Sequence, residues 1–259
     1  MKIISGTHRV CILGVGYTGV VLLRLLHAEG WQCVATGRSP RALPEGDVMV
    51  FDLGKRATWH SLPEAEAYVW LFPPAPPGMV EEFLPLLQAR APKLVVVGTT
   101  SSYLAPAGEE IVDEETPIDH ASPRVQGEEL LRARGAVVLR SAGIYGPERN
   151  PLDWLRAGRI ARADHWVNLI HVEDLALAIG AALRVECSGE QFVVSDGTPR
   201  RWRDIALWGQ QRGLLGNITF RGDERGSSRQ LANAKLVRVL RPPLAHTDLY
   251  RELEALEGR

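Results

Sequence analysis

RVCILGVGYTGVVLLRLLHAEG, residues 9–30, decides the fold. Arg9 to Gly14 is a short apolar run stopped by glycine. From Tyr17 to Glu29 apolar residues recur at helical spacing (Val20, Val21, Leu22, Leu25, Leu26) until Gly30 ends the pattern. The segment reads strand, glycine turn, helix. Working outward, WQCVATGR (31–38) gives a second strand, Val48–Leu53 a third, Ala67–Phe72 a fourth and Lys93–Gly98 a fifth. Each is brief and almost continuously apolar, as a strand covered on both faces should be. Helices are expected at Met79–Arg90 and Val125–Arg134, and AVVLRSAGIYG (136–146) reads as a sixth strand. Such alternation predicts an α/β fold with a doubly wound parallel sheet. Beyond Pro147 the pattern loosens into a short helix at 152–157, a helix from Glu173 to Arg184, a strand at QFVVS (191–195) and a helix from Trp202 to Arg212. The expected division is a core over 1–146 and a smaller C-terminal lobe over 147–259, interleaved with the last strands of the core.

The 259 residues are 45% apolar and 24% charged, enough for a proper core and too apolar for disorder. No apolar run reaches the roughly 18 residues of a spanning helix, and MKIISGTHRV lacks the apolar stretch of a secretory signal, so a cytoplasmic protein is expected. Thirty basic against 31 acidic residues leave a net charge of −1, which argues against nucleic-acid or membrane partners. Cys11, Cys33 and Cys187 cannot all pair and read as reduced. His165 and His171 fit no metal-ligand spacing and no Cys-x-x-Cys occurs, so no metal is expected. His171 with Glu173 and Asp174 reads as a helix start. Arg200, Arg201 and Arg203, around Trp202, read as the solvated face of an amphipathic helix with Trp202 and Trp208 packed inward.

Gly14, Gly16 and Gly19 form G-V-G-Y-T-G between the first strand and first helix. The first glycine permits the tight turn, the second lets a pyrophosphate approach the backbone, and the third lets helix pack on strand. Unpaired N–H groups, those of Tyr17 and Thr18 included, then face the anion at the positive end of the helix dipole. The second strand ends in Thr36-Gly37-Arg38-Ser39, where NAD-binding proteins carry an acid for the ribose hydroxyl. A guanidinium pairs instead with a 2′-phosphate, so NADP is favoured over NAD. Asp52 reads either as an adenine contact or as a loop cap. Phe72 and Pro73 open the proline loop FPPAPPG after the fourth strand and, with Thr99, are assigned to the cofactor wall.

These features, with VVVGTTSS (95–102), VDEETP (112–117), LRSAGIYGP (139–147) and HVEDLALAI (171–179), occur in the order found in the short-chain dehydrogenase/reductase superfamily. The chain resembles its extended to atypical branch, the NAD-dependent epimerase/dehydratase type, over about the first 180 residues; SSRQLANAKL (227–236) is a less specific match. The resemblance implies a Rossmann core, a nicotinamide cofactor across the strand ends, a small-molecule substrate, and dimerisation through helices.

The same resemblance exposes a departure. Family enzymes carry a Tyr with a Lys four residues later, which together lower the tyrosine pKa. Bringing it from about 10 to near 7 takes roughly 4 kcal/mol of preferential stabilisation. Here Tyr17, Tyr68, Tyr103, Tyr145 and Tyr250 are followed four residues on by Val21, Phe72, Ala107, Arg149 and Glu254. Anchoring on Thr116-Pro117 puts Arg124 and Glu128 at the Tyr and Lys positions; anchoring on Gly127-Glu128 puts His120 and Arg124 there. In the second register His120 would titrate near neutrality with Arg124 beside it. Ser101 matches the family's Ser/Thr position after strand five and, with Thr100, would bind the reacting oxygen. Tyr145 stands beyond strand six as a substitute proton donor. The expectation is an NADP-dependent oxidoreductase acting by reduction, epimerisation or dehydration on a small carbonyl, alcohol or sugar-nucleotide-like substrate. The alternative is a catalytically inactive NAD(P)-binding sensor or regulatory protein.

Overall fold

The structure, a computed structural model, describes residues 8–104, 109–222 and 228–258. Residues 1–7, Ala107 and Ser227 of the stretches quoted above lie outside them. The strands are β1 (Arg9–Leu13), β2 (Gln32–Gly37), β3 (Arg41–Leu43), β4 (Gly46–Val50), β5 (Ala67–Trp70), β6 (Lys93–Thr99), β7 (Glu109–Val112), β8 (Val137–Ser141), β9 (Gly143–Tyr145), β10 (Trp166–Val167), β11 (Leu169–His171), β12 (Gln191–Val194), β13 (Arg200–Arg201) and β14 (Ser228–Leu231). The helices are α1 (Tyr17–Ala28), α2 (Pro77–Arg90), α3 (Pro123–Arg132), α4 (Pro151–Arg156), α5 (Val172–Arg184), α6 (Trp202–Gln211) and α7 (Leu249–Leu256).

The main sheet runs β12-β8-β6-β5-β1-β2-β4-β3, and every neighbouring pair is parallel except β3 on β4. Chain order reverses between β1 and β5, so their carboxyl ends part into a crevice. One face of the sheet is covered by α1 and α5 through Leu22, Leu26, Leu175 and Ile179, and the other by α2 and α3 through Val80, Phe83, Leu87 and Leu131. The doubly wound parallel α/β fold expected from the sequence is the one observed.

Three local readings change. Val48–Leu53 is a strand only as far as Val50: Phe51 N–H still reaches Gly37 O at 2.8 Å, but Asp52 N–H turns to Thr58 Oγ1 at 3.0 Å. The sixth strand divides at Ala142. Its N–H is the last to join the sheet, on Val194 O, and Gly143 N–H turns to Asn168 O, so β9 pairs with β11 instead. Arg200 does not lie on a solvated face. It is buried and paired with Asp196 at 2.6 Å, while Trp202 packs inward as expected.

A third apolar cluster joins α4, α6 and α7 through Leu152, Leu155, Trp202, Ile205, Leu249 and Leu253. Among the described residues no helix is long and apolar enough to cross a membrane.

Candidate functional site

A cleft of about 690 Å³ opens at the crevice between β1 and β5, walled by the glycine loop, the end of β2, the segment after β4 and the segment after β5. The three glycines do three different things. Gly14 has φ +93°, and a Cβ there would meet the Phe72 ring at 2.9 Å. A Cβ on Gly19 would lie 3.0 Å from Gly14 O and 3.2 Å from Leu71, so this glycine sets how closely α1 lies on the loop. Gly16 would meet nothing within 4 Å, since it faces the open cleft. No side chain caps the first turn of α1, which begins beside Gly14 and Gly16 in the cleft wall.

Phe72 is fixed from behind. It packs on Trp70 and Phe51, which with Trp59 touch Phe83, the ring centroids lying 4.9–6.2 Å apart. Aromatic pairs of this kind add about 0.5–1.5 kcal/mol each beyond area burial, which makes a stiff wall. Arg38 is exposed on the cleft rim. Asp52 lies in the wall and accepts from Gly54 N–H at 3.0 Å, as a loop cap does, while Pro73 lines the far side. Arg41 escaped the sequence reading. Its Nη2 donates to Val15 O at 2.8 Å, which brings a second guanidinium to the mouth of the glycine loop. The signal for it was the repeat of arginine three residues after Arg38, across Ser39-Pro40.

Leu71 and Pro73 also wall a second space of about 450 Å³, which continues the cleft over the ends of β6 and β8. Thr18, Thr99, Arg124, Ser141, Ile144 and Arg149 complete it. The hydroxyls after β6 divide into two sets. Thr100 donates to Ser141 O at 3.3 Å, and Ser102 donates to Thr99 O at 2.5 Å while accepting from Arg140. Ser101 is exposed, 3.0 Å from the Thr99 hydroxyl.

Behind this hydroxyl group stands a charged network. Arg124 Nε bonds Glu128 Oε1 at 2.9 Å, one helical turn on. Glu128 is fully buried, and its Oε2 receives Arg140 Nη1 at 2.7 Å. Arg140, equally buried in β8, also holds Glu129 at 2.8 Å and Gln191 at 3.0 Å. Burial raises the Glu128 pKa, and the two arginines oppose the rise. Two close approaches set α3 in place: a Cβ on Gly98 would strike the Glu128 carboxylate at 2.9 Å, and one on Gly127 would lie 1.7 Å from Pro74 O. The helix thus rests on the proline loop.

Arg124 is therefore at the cleft with Thr99, whereas His120 is exposed ahead of α3. Tyr145 is apart from both. Alternation along β9 turns Ile144 to the cleft and buries Tyr145 against His171, with its hydroxyl donating to His246 O at 3.4 Å. Burial pushes its pKa up. Tyr17 turns its side chain to the segment after β9: the hydroxyl donates to Pro147 O at 2.8 Å and Arg149 lies over its ring at 4.4 Å.

His171 accepts from Glu173 N–H at 3.3 Å and so caps α5, as the sequence suggested. Its ring stacks on His246 at 3.9 Å, and donor atoms of His171, His246 and Glu252 lie within 4.8 Å of one another. His246 is held by Glu173 and Glu252 at 3.0 Å each, and buried Asp174 accepts from the N–H groups of Ala245 and His246. This grouping joins residues 75 positions apart, which no local spacing could reveal.

No protein-family model matches the chain. Protein YeeZ of Escherichia coli (strain K12) is 28% identical, with 71% of this chain and 76% of that protein covered. Among solved structures, a candidate NAD-dependent epimerase/dehydratase from Methylobacillus flagellatus superposes with a TM-score of 0.81 at 23% identity, covering 98% of both chains. MoeE5, solved with UDP-glucose and NAD, gives 0.75 at 18% identity, covering 97% of this chain and 99% of its own. The chain shares the doubly wound, Rossmann-type α/β fold of these structures.

Proposed function

We propose that this chain binds NADP(H) and is an oxidoreductase of the atypical short-chain kind, acting on a small carbonyl, alcohol or sugar-nucleotide-like substrate. The observation that carries the reading is the pair Arg38 and Arg41 beside a glycine-lined cleft, at a strand end that has no carboxylate. Two guanidiniums suit a ribose 2′-phosphate, which an acid at this position would repel. Gly16, open to the cleft, and the uncapped start of α1 suit the pyrophosphate. The resemblance in fold to the epimerase/dehydratase structures supports the reaction class.

The core over 1–146 would hold the cofactor, and the lobe over 147–259 would shape the substrate end. Bound there, the nicotinamide would supply or accept hydride. Ser101, exposed beside Thr99, would bind the reacting oxygen. Arg124, at the tyrosine position in one register and at the lysine position in the other, lines the space next to Thr99. It would place positive charge at the substrate end, with water supplying or taking the proton. Tyr145 and His120 receive no proton-transfer role in this reading.

One observation favours a second reading, a cofactor-binding regulatory protein without turnover: no Tyr-x-x-x-Lys pair occurs in the sequence, and Arg124 is held in an ion pair with Glu128. Binding separates either reading from failure of both. Titration with NADPH and with NADH, followed by energy transfer from the seven tryptophans, should show tighter NADPH binding. Arg38→Ala should weaken NADPH about tenfold or more and leave NADH nearly unchanged. If neither nucleotide binds, both readings fall. Binding without hydride transfer across a carbonyl and sugar-nucleotide panel selects the second.

A further inference from the structure

The space beyond Leu71 and Pro73 has a charge imbalance. Among the described residues Arg124 and Arg149 line it, and no carboxylate does. Behind Arg124, three guanidiniums (Arg124, Arg132, Arg140) share two carboxylates (Glu128, Glu129). Arg140 is buried and committed to four partners, and Arg132 closes on Glu129 and the Gly189 carbonyl. The uncompensated positive charge therefore falls to Arg124, which is about one-third exposed and engages Glu128 through Nε.

Arg149 reaches the same space from the segment after β9. The turn Gly146–Arg149 closes through reciprocal backbone hydrogen bonds, and Glu148 takes φ +66° within it. A left-handed non-glycine residue costs of order 1–3 kcal/mol and persists only where the surroundings impose it. Here the turn sets the Arg149 guanidinium over the Tyr17 ring at 4.4 Å, and Tyr17 is tied to Pro147 O. Among the described residues Arg149 makes no ion pair. Two guanidiniums thus face one space from α3 and from the segment after β9, each fixed by contacts that leave part of its hydrogen-bonding edge unused.

We propose that Arg124 and Arg149 form a receptor for a compact oxyanion, so that the substrate of this site carries a carboxylate or phosphate group. The inference rests on the preceding reading in placing a cofactor in the adjoining cleft. A planar guanidinium can pair with either oxyanion through two parallel hydrogen bonds. The position of Arg124 adds a consequence: the residue standing where the proton relay would be recognises substrate charge.

The test is calorimetric titration of the NADPH-saturated protein with malonate, with inorganic phosphate, and with uncharged malonamide. At least one anion should bind while malonamide stays silent. Arg149→Gln and Arg124→Gln should each weaken that binding about tenfold or more. A preference for malonate assigns a carboxylated substrate, and one for phosphate a phosphorylated substrate. The proposal is overturned if neither anion binds better than malonamide, or if both variants bind as the unaltered protein does. Should Arg124→Gln fail to fold, Arg149→Gln, at an exposed position, decides alone. NADPH binding is measured first in each protein. Its absence would sink the cofactor reading, and the same titrations on the cofactor-free protein would still decide the receptor.

Discussion

The two ends of the cleft are built by different means. At the glycine-loop end, backbone and small residues do the work: Gly14, Gly16 and Gly19 stand within six consecutive positions and shape the wall by what they lack. At the far end, the surface is set by side chains carried from α3, β8 and the residues after β6, joined through buried Arg140. A backbone cradle cannot be rebuilt without changing the turn itself. A side-chain relay can be exchanged for an ion pair of similar span while α3 keeps the same seat on β6 and the proline loop. The fold is accordingly intact at both ends, whereas the chemistry departs from the family pattern at one.

The largest effect expected is at the rebuilt end. Arg140→Met leaves Glu128 buried with Arg124 as its remaining partner, and breaking a buried pair of this kind costs about 3–5 kcal/mol. Denaturant unfolding should show that loss, and adding Glu128→Gln should recover part of it. An unchanged midpoint would mean that the network does not hold this end. The glycine-loop end yields a sharper contrast between neighbours. Gly14→Ala should cost of order 1–3 kcal/mol, because the position has φ +93° and Phe72 must move. Gly16→Ala meets no atom, so stability should change by less than about 0.5 kcal/mol while NADPH affinity falls about tenfold. Equal effects on stability from the two would erase the distinction between a glycine required by the fold and one required by the ligand.

The smallest effect concerns the clamp between α5 and α7. Burial alone would lower the pKa of His246, but its hydrogen bond to Glu252 and the charges of Glu252, Asp174 and Glu173 outweigh this and raise it. Its contribution is therefore complete below the ordinary histidine pKa and lost as pH rises through the higher folded value. His171 runs the other way. Burial, then His246, lowers its pKa, so its contribution is lost as pH falls through that lower value. Between pH 6 and 8.5 the melting temperature should fall about 1–2 °C more in the unaltered protein than in His246→Gln, a small shift because solvent screens a partly exposed group. Parallel profiles would show that the clamp does not titrate in this range.

Legibility followed the same division. The run 9–30, the strands at 31–38 and 93–98, and the parallel doubly wound sheet could be read because strand, turn and helix each leave a local period. Arg41 was missed because its role depends on reaching back to Val15, twenty-six residues earlier. The Arg140 network had one visible signal, a charge inside the apolar run AVVLRSAG, but its partners come from a separate helix and a separate strand. The pairing of β7 with β14 and the packing of α7 left no local trace, since each depends on segments far apart in the chain.

By itself the sequence determined the parallel sheet, the glycine cradle and the arginine after β2, because these rest on backbone conformation and on periods of two and 3.6 residues that neighbours alone impose. Only the tertiary structure put Arg124 rather than His120 at the cleft, turned Tyr145 into the core and brought Arg149 and Arg124 to one space. Those outcomes depend on which face of an element meets which neighbour, and a change of one residue in register reverses the answer.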